Sequence, residues 1–234
     1  MGQGAGTVVE QGLFPSEPGR IGTDESGKGD FFGPLVVAAF FMPEDAEKAL
    51  RELGVKDSKR TSDARCREIA ETLKKGYIHS VVVVGPEKYN ELYGKLRNLN
   101  RILAWAHARA IENILERVPA GKAVTDQFGD EKFVQNALLK KGRAIELVQR
   151  PRAEEDPAVA AASILARAEF LTRLHFLSRD IGTELPKGAS AMVEEAAVKL
   201  VRAKGPAILD KVAKTHFKTA ARVLGLARVD NPVK

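Results

Sequence analysis

The sequence predicts an α/β fold, a mixed sheet of about five strands flanked by helices and continued by a helical, basic C-terminal region. Three observations predict it. Apolar runs of strand length, Leu35 to Met42 and Tyr77 to Val84, are rich in β-branched or aromatic residues and end at Pro43 and at Gly85-Pro86. Apolar residues at helical spacing mark long amphipathic helices between and after such runs. Beyond Pro186 the pattern is helical throughout.

Taken in order, residues 1–19 are rich in glycine and polar residues without periodicity and read as a tail or linker remnant, so the folded catalytic-size domain spans 20–234. Ile21 to Glu25 is a short strand. A glycine-bearing loop leads to the buried strand Leu35 to Met42, short enough for an antiparallel hairpin. Pro43 to Gly76 holds helical sequence before the third strand, Tyr77 to Val84. Ile102, Ala106, Ala110, Ile114 and Val118, with Leu103, Ile111 and Leu115 beside them, predict a helix over 99–117 stopped by Pro119 and Gly121. Lys122 to Asp126 is a strand, Glu131 to Lys140 a short helix and Ala144 to Gln149 a further strand. Pro157 takes the first position of a long helix. Its small residues Ala158-Val159-Ala160-Ala161-Ala162-Ser163 suit close packing on a sheet.

Composition narrows the functional classes. With 234 residues and 44% hydrophobic content the chain builds a sizeable core. It has no apolar run of membrane-spanning length and no basic, hydrophobic leader at its N-terminus, so the expectation is a cytoplasmic protein without a membrane partner. A single cysteine, Cys66, fits a reducing compartment and argues against structural zinc. From Lys187 onward there are ten Lys or Arg and four acids, so the net charge of +6 resides in that region. A basic C-terminal part beside upstream acid clusters suits a nuclease, with cations for phosphates and carboxylates for a metal.

The chemistry concentrates in Gly22-Thr23-Asp24-Glu25-Ser26-Gly27-Lys28-Gly29-Asp30-Phe31-Phe32-Gly33-Pro34. Further acids fall where predicted strands end or a helix begins: Asp126, and Glu154-Glu155-Asp156 before Pro157. Acids at neighbouring strand ends can share two divalent cations about 4 Å apart, which suits phosphodiester hydrolysis. Oxygen ligands without paired His or Cys favour magnesium over zinc. From an ideal strand Asp24 and Glu25 leave on opposite faces, so the chain must bend there or Glu25 must act partly through its carbonyl. Gly27-Lys28-Gly29 allows close approach of a ligand to backbone amides, with Lys28 as a point charge. The segment from Gly22 to Lys28 also fits GxxxxGK, but Gly29 replaces the hydroxyl residue that would hold magnesium, and two acids in the loop would repel nucleotide phosphates.

Four ordered blocks resemble the type 2 ribonucleases H: Asp24 to Pro34, Val55-Lys56-Asp57-Ser58-Lys59, Asp126-Gln127-Phe128 and Ala158 to Ser163. Within that group the chain is more similar to ribonuclease HIII than to ribonuclease HII. The lysine of Gly27-Lys28-Gly29, the segment from Asn98-Leu99-Asn100 to Trp105-Ala106-His107, Leu185-Pro186-Lys187-Gly188-Ala189 and His216-Phe217-Lys218-Thr219 carry that likeness. Ala189 stands where ribonuclease HII usually has a tyrosine that senses an RNA–DNA junction.

The resemblance implies an RNase H-like fold and Mg2+- or Mn2+-dependent endonucleolytic cutting of the RNA strand of RNA–DNA hybrids at a two-metal site. Asp24, Glu25, Asp126 and Glu154 are the implied catalytic and metal-binding carboxylates. Because the segment from Ala153 to Ala158 is one residue shorter than the usual family spacing, Glu155 is the alternative to Glu154. Gly27, Lys28, Gly29, Lys59, Ser163 and Lys187 are the implied substrate-binding residues, with the glycine loop meeting RNA 2′-hydroxyls. The expected partner is a hybrid nucleic acid and the expected state a monomer. Ribonuclease HIII usually carries an N-terminal substrate-binding domain, whereas at most twenty residues precede the first strand here, so weaker hybrid affinity is expected. The alternatives are HII-like incision at single ribonucleotides in duplex DNA and a non-catalytic hybrid-binding module.

Overall fold

The computed structural model describes residues 19–55, 61–127, 132–139 and 141–229. Five strands form one sheet: β1 (Gly19–Ser26), β2 (Leu35–Pro43), β3 (His79–Val84), β4 (Lys122–Asp126) and β5 (Glu146–Arg150), in the order β3-β2-β1-β4-β5. The β1–β2 and β2–β3 pairs are antiparallel, while β4 runs parallel to both β1 and β5. The expected hairpin and mixed sheet are therefore present.

The apolar run of β2 works because both faces of the sheet are covered. Val36, Ala38, Phe40 and Met42 enter one core, and Val37, Ala39 and Phe41 the other. Phe40 and Phe41, at most 2% exposed, contribute about 2–3 kcal/mol each by burial. The first core is closed by α6 (Pro157–Ile181) and the second by α4 (Leu99–Leu115), which buries the periodic positions read from the sequence.

The small residues of α6 have a specific use. A Cβ on Gly22 would stand 2.1 Å from the Ala158 carbonyl carbon and 2.3 Å from the Val159 nitrogen, so the first turn of α6 lies directly on β1. Gly22 is thus a packing residue inside a strand, which removes the phosphate-loop reading of Gly22 to Lys28. Asp156 caps α6 by accepting from the Ala158 N–H at 2.9 Å, and Arg20 holds the cap from β1 at 2.9 Å.

Helices α1 (Glu47–Leu53) and α2 (Asp63–Gly76) precede β3, α3 (Pro86–Leu96) precedes α4, and α5 (Lys132–Ala137) lies between β4 and β5. The C-terminal helices α7 (Ala191–Lys204), α8 (Ile208–Val212) and α9 (Lys218–Val229) share a core with α6 through Val193, Ala197, Leu200, Leu209 and Val223. They also grip the β1–β2 loop: Gly33 N–H donates to the Val212 carbonyl and Lys214 N–H to the Phe31 carbonyl, both at 2.8 Å.

Several boundaries differ from the sequence reading. Strand β1 begins at Gly19, inside the expected tail; residues 1–18 lie outside the described residues. Strand β3 starts at His79 because the Tyr77 N–H still closes α2 on the Leu73 carbonyl. Ala144 belongs to a short 3₁₀ turn, Gly142–Ala144, which delays β5 to Glu146. Cys66 sits on α2 fully buried, with Sγ 3.4 Å from the Ile164 carbonyl. Among the described residues no helix is long and apolar enough to cross a membrane.

Candidate active site

Parallel pairing of β1 with β4 sets Thr23 opposite Thr125, so Asp24 and Asp126 follow at the ends of adjacent strands. The turn Ala153–Glu155 ahead of α6 is tied to the same place, its Ala153 N–H donating to Asp126 Oδ1 at 3.3 Å. The result is a cleft of about 490 Å³ lined by Asp24, Glu25, Asp126 and Glu154, with Gly27, Lys28, Gly29, Ser163 and Arg167 completing its wall. Glu154 lines the cleft and Glu155 does not; Asp156 serves as the α6 cap.

Asp24 and Glu25 stay in register with Ala38 and Val37 of β2, so of the two alternatives read from the sequence the chain shows no bend at this point. Asp24 faces α6, where Ser163 hydrogen-bonds it, and its Oδ1 also accepts from the Glu25 N–H at 2.8 Å. Glu25 faces α4, where His107 Nε2 lies 3.2 Å from Oε2, while Lys28 Nζ donates to Oε1 at 3.2 Å. Both line one cleft because the strand ends there.

Their protonation is driven apart. Burial and then the charge of Glu25 push the Asp24 carboxyl up to about 6, against the Ser163 and backbone hydrogen bonds. Burial also works to raise Glu25, but the contacts to His107 and Lys28 outweigh it and hold its carboxyl well below the usual range. Two adjacent acids thus meet opposite surroundings, an arrangement found where carboxylates do chemistry.

The glycine loop divides its labour. Gly27 has φ +87° and a Cβ there would come within 2.2 Å of the Pro34 carbonyl oxygen, so the turn itself needs it. A Cβ on Gly29 would meet nothing within 4 Å, so packing does not require glycine at this position of the cleft lining. Asp30 pins a second loop here, its Oδ1 accepting from the Gly188 N–H at 2.6 Å.

Of the other residues expected to bind substrate, Ser163 lines the cleft and Lys59 lies outside the described residues. Lys187 does not line the cleft; it pairs with Asp63 at the start of α2. Asp63 also holds Arg167, which does reach the cleft, at 2.6 Å. Sequence reasoning assigns no role to Arg167 or to His107, although His107 ends one of the segments that carry the ribonuclease HIII likeness. His107 had left a signal: it occupies the apolar stripe of α4, four residues from both Leu103 and Ile111.

The donor set fits a hard divalent cation, being four carboxylates with no thiol or ligating imidazole pair in the cleft. Among the described residues no three acidic, His or Cys side chains close round a single point. In this geometry the acids are instead engaged by donors of the protein, Lys28 and His107 on Glu25 and the Ala153 amide on Asp126.

Known proteins similar to this chain share its family pattern and its overall fold. The family pattern described as Ribonuclease HII matches residues 21–220. The chain is 45% identical over 206 residues to the ribonuclease HIII of Protochlamydia amoebophila, covering 88% of this chain and 68% of that protein. It is 46% identical over 215 residues to the ribonuclease HIII of Chlamydia felis, covering 90% of this chain and 70% of that one. The crystal structure of Bst-RNase HIII in complex with Mn2+ superposes with a TM-score of 0.84 at 34% identity, over 92% of this chain and 71% of that chain. Matched by the family pattern over residues 21–220 and by ribonuclease HIII relatives at about 45% identity over most of its length, the chain belongs to the type 2 ribonuclease H family, in its ribonuclease HIII group.

Proposed function

We propose that this chain is a metal-dependent endoribonuclease that cuts the RNA strand of RNA–DNA hybrids, leaving 5′-phosphate and 3′-hydroxyl ends. The observation that carries the reading is the meeting of Asp24, Glu25, Asp126 and Glu154 with the Gly27-Lys28-Gly29 loop in one cleft. It is supported by membership of a family in which Bst-RNase HIII has been crystallised with Mn2+.

The four carboxylates would hold a pair of Mg2+ or Mn2+ ions. Such ions lower the pKa of an attacking water and neutralise charge on the leaving oxygen. The chain's own residues do the rest. Ser163 and the Glu25 N–H orient Asp24, and the Ala153 N–H orients Asp126. Lys28, on Glu25 Oε1 in this structure, would place its charge within reach of a substrate oxygen at the cleft wall. The open space at Gly29 admits a ribose to the backbone, where a 2′-hydroxyl is both donor and acceptor. Arg167, braced by Asp63, supplies a fixed positive charge at the cleft wall.

We read residues 20–234 as one catalytic unit, because the helical C-terminal region shares its core with α6, and propose that it acts as a monomer. The test is a cleavage panel comparing a hybrid, a DNA duplex with one embedded ribonucleotide, and single-stranded RNA, each with Mg2+ and with Mn2+. The reading expects cutting of the hybrid, dependence on added cation and a strong preference for a run of ribonucleotides, as Ala189 suggests. Binding of the hybrid without hydrolysis across both titrations would favour a non-catalytic module instead.

A further inference from the structure

We propose that His107 is a positioning residue that fixes the Glu25 carboxylate for cation binding, through a relay built into the sheet itself. His107 lies on α4 and is 0% exposed, as are Thr23 and Thr125. Its Nε2 stands 3.2 Å from Glu25 Oε2. A carboxylate only accepts, so Nε2 carries the hydrogen and donates it. At the other side of the ring, Nδ1 and the Thr23 hydroxyl share a 2.8 Å hydrogen bond, with the Thr125 hydroxyl at 3.5 Å.

The placement follows from register. Thr23 precedes Asp24 on β1 and Thr125 precedes Asp126 on β4, and the two threonines pair across the parallel ladder. Alternation turns both threonines toward α4 when both aspartates turn away from it. One imidazole beneath the sheet is thereby keyed to the two strands that deliver the acids, and it reaches the one acid, Glu25, that alternation sends to its own side. A merely structural histidine would need a partner but not this one: the α4 stripe around it is apolar, and a leucine would extend the packing of Leu103 and Ile111. Hydrogen bonds from outer groups orient ligating side chains and typically change metal affinity by about 10–100-fold when removed.

The inference rests on Glu25 being one of the cation-binding acids, and the experiment separates the two claims. Mn2+ binding to the whole chain is measured by calorimetry without nucleic acid, beside thermal unfolding, kcat and KM on a hybrid. His107→Leu is expected to keep its fold, weaken Mn2+ binding about tenfold or more and lower kcat with little change in KM. His107→Gln, whose amide nitrogen can reach Glu25, is expected to recover most of the affinity. If His107→Leu does not fold, Thr23→Val, which frees the ring and keeps the volume, is expected to weaken binding in the same direction. Parent affinity in a folded His107→Leu, parent affinity in Thr23→Val, or a His107→Gln no better than leucine overturns the proposal. Glu25→Gln run in parallel locates the failure. Unchanged Mn2+ affinity there removes both readings; weakened affinity there with none lost at His107 removes this one alone.

Discussion

Two buried ionisable sites stand at opposite ends of the β1–β2 loop, and they are handled in opposite ways. At one end Lys214 is fully buried, its Nζ donating to the carbonyls of Asp30 and Gly33 at 2.7 Å each, with the Phe32 carbonyl at 3.5 Å and the Tyr89 ring at 5.9 Å. Burial pushes its pKa down to about 7, with the charge of Asp30 opposing. At the other end Asp24 is half-buried beside a second carboxylate, and desolvation followed by the charge of Glu25 pushes its pKa up to about 6. Lys214 has its donors satisfied by backbone carbonyls, so it holds the loop by hydrogen bonding although burial disfavours its charge. Asp24 and Glu25 leave the strand on opposite sides yet line one cleft open to solvent, where the proposed reading gives them a cation to hold. On the proposed reading, a buried group that supports the fold by hydrogen bonding stands against a pair of acids kept for chemistry.

Substitutions should separate the two ends sharply. Asp126→Asn should lower hybrid cleavage on the order of a thousandfold or more and leave the thermal midpoint nearly unchanged, as read by single-turnover cleavage and circular dichroism. Glu154→Gln should follow it with a loss of roughly a hundredfold. Glu155→Gln, outside the cleft, should stay within about twofold of the parent; the reverse ranking would move the fourth acid to Glu155.

Lys214→Met should do the opposite. Three backbone carbonyls lose their donor, so urea unfolding should report a loss of about 2–4 kcal/mol, while cleavage by the folded fraction keeps its cation requirement. The sign of the pH effect is fixed by the lowered pKa. The buried ammonium opposes folding below about pH 7, and that penalty is relieved as pH rises toward the unfolded value. The parent should therefore gain stability relative to Lys214→Met between pH 7 and 10. A constant difference across that range would contradict a buried, depressed lysine.

The smallest effect on folding belongs to Gly29→Ala. With open space around its Cβ position, it should change stability by less than about 0.5 kcal/mol yet raise KM for the hybrid, because the added methyl stands where a ribose would approach. Unaltered KM would assign that glycine to the turn alone.

Much of this was legible in the sequence because it is local. The apolar run of β2, the periodicity of α4 and Pro157 at the head of α6 each depend on neighbours a few residues away, and each element formed. The acids Asp24, Asp126 and Glu154 were legible as strand-end or pre-helix charges. Lys214 was not: it counted as one of ten C-terminal cations suited to phosphates, and only the fold reveals acceptors more than 180 residues away. Lys187, expected at the substrate, and Arg222 are likewise paired with distant acids, Asp63 on α2 and Glu194 on α7, which local sequence does not show. His107 lay between, visible as a polar residue on an apolar stripe but without a partner until β1 and β4 were set in register.

The most direct measurement of the central claim combines both readouts on Asp24→Asn in chelator and then in Mn2+. A raised carboxyl pKa means that the charged form opposes folding, a cost absent below about pH 4 and complete above about pH 6. The account predicts that with cation removed the variant is more stable than the parent at pH 7.5, by about 1 kcal/mol or more, and that this gain fades as pH falls from 6 to 4. With Mn2+ restored it should fail to cut the hybrid. A variant less stable than the parent in chelator, or one that still cuts, would contradict the claim that Asp24 is held charged against the fold for a metal.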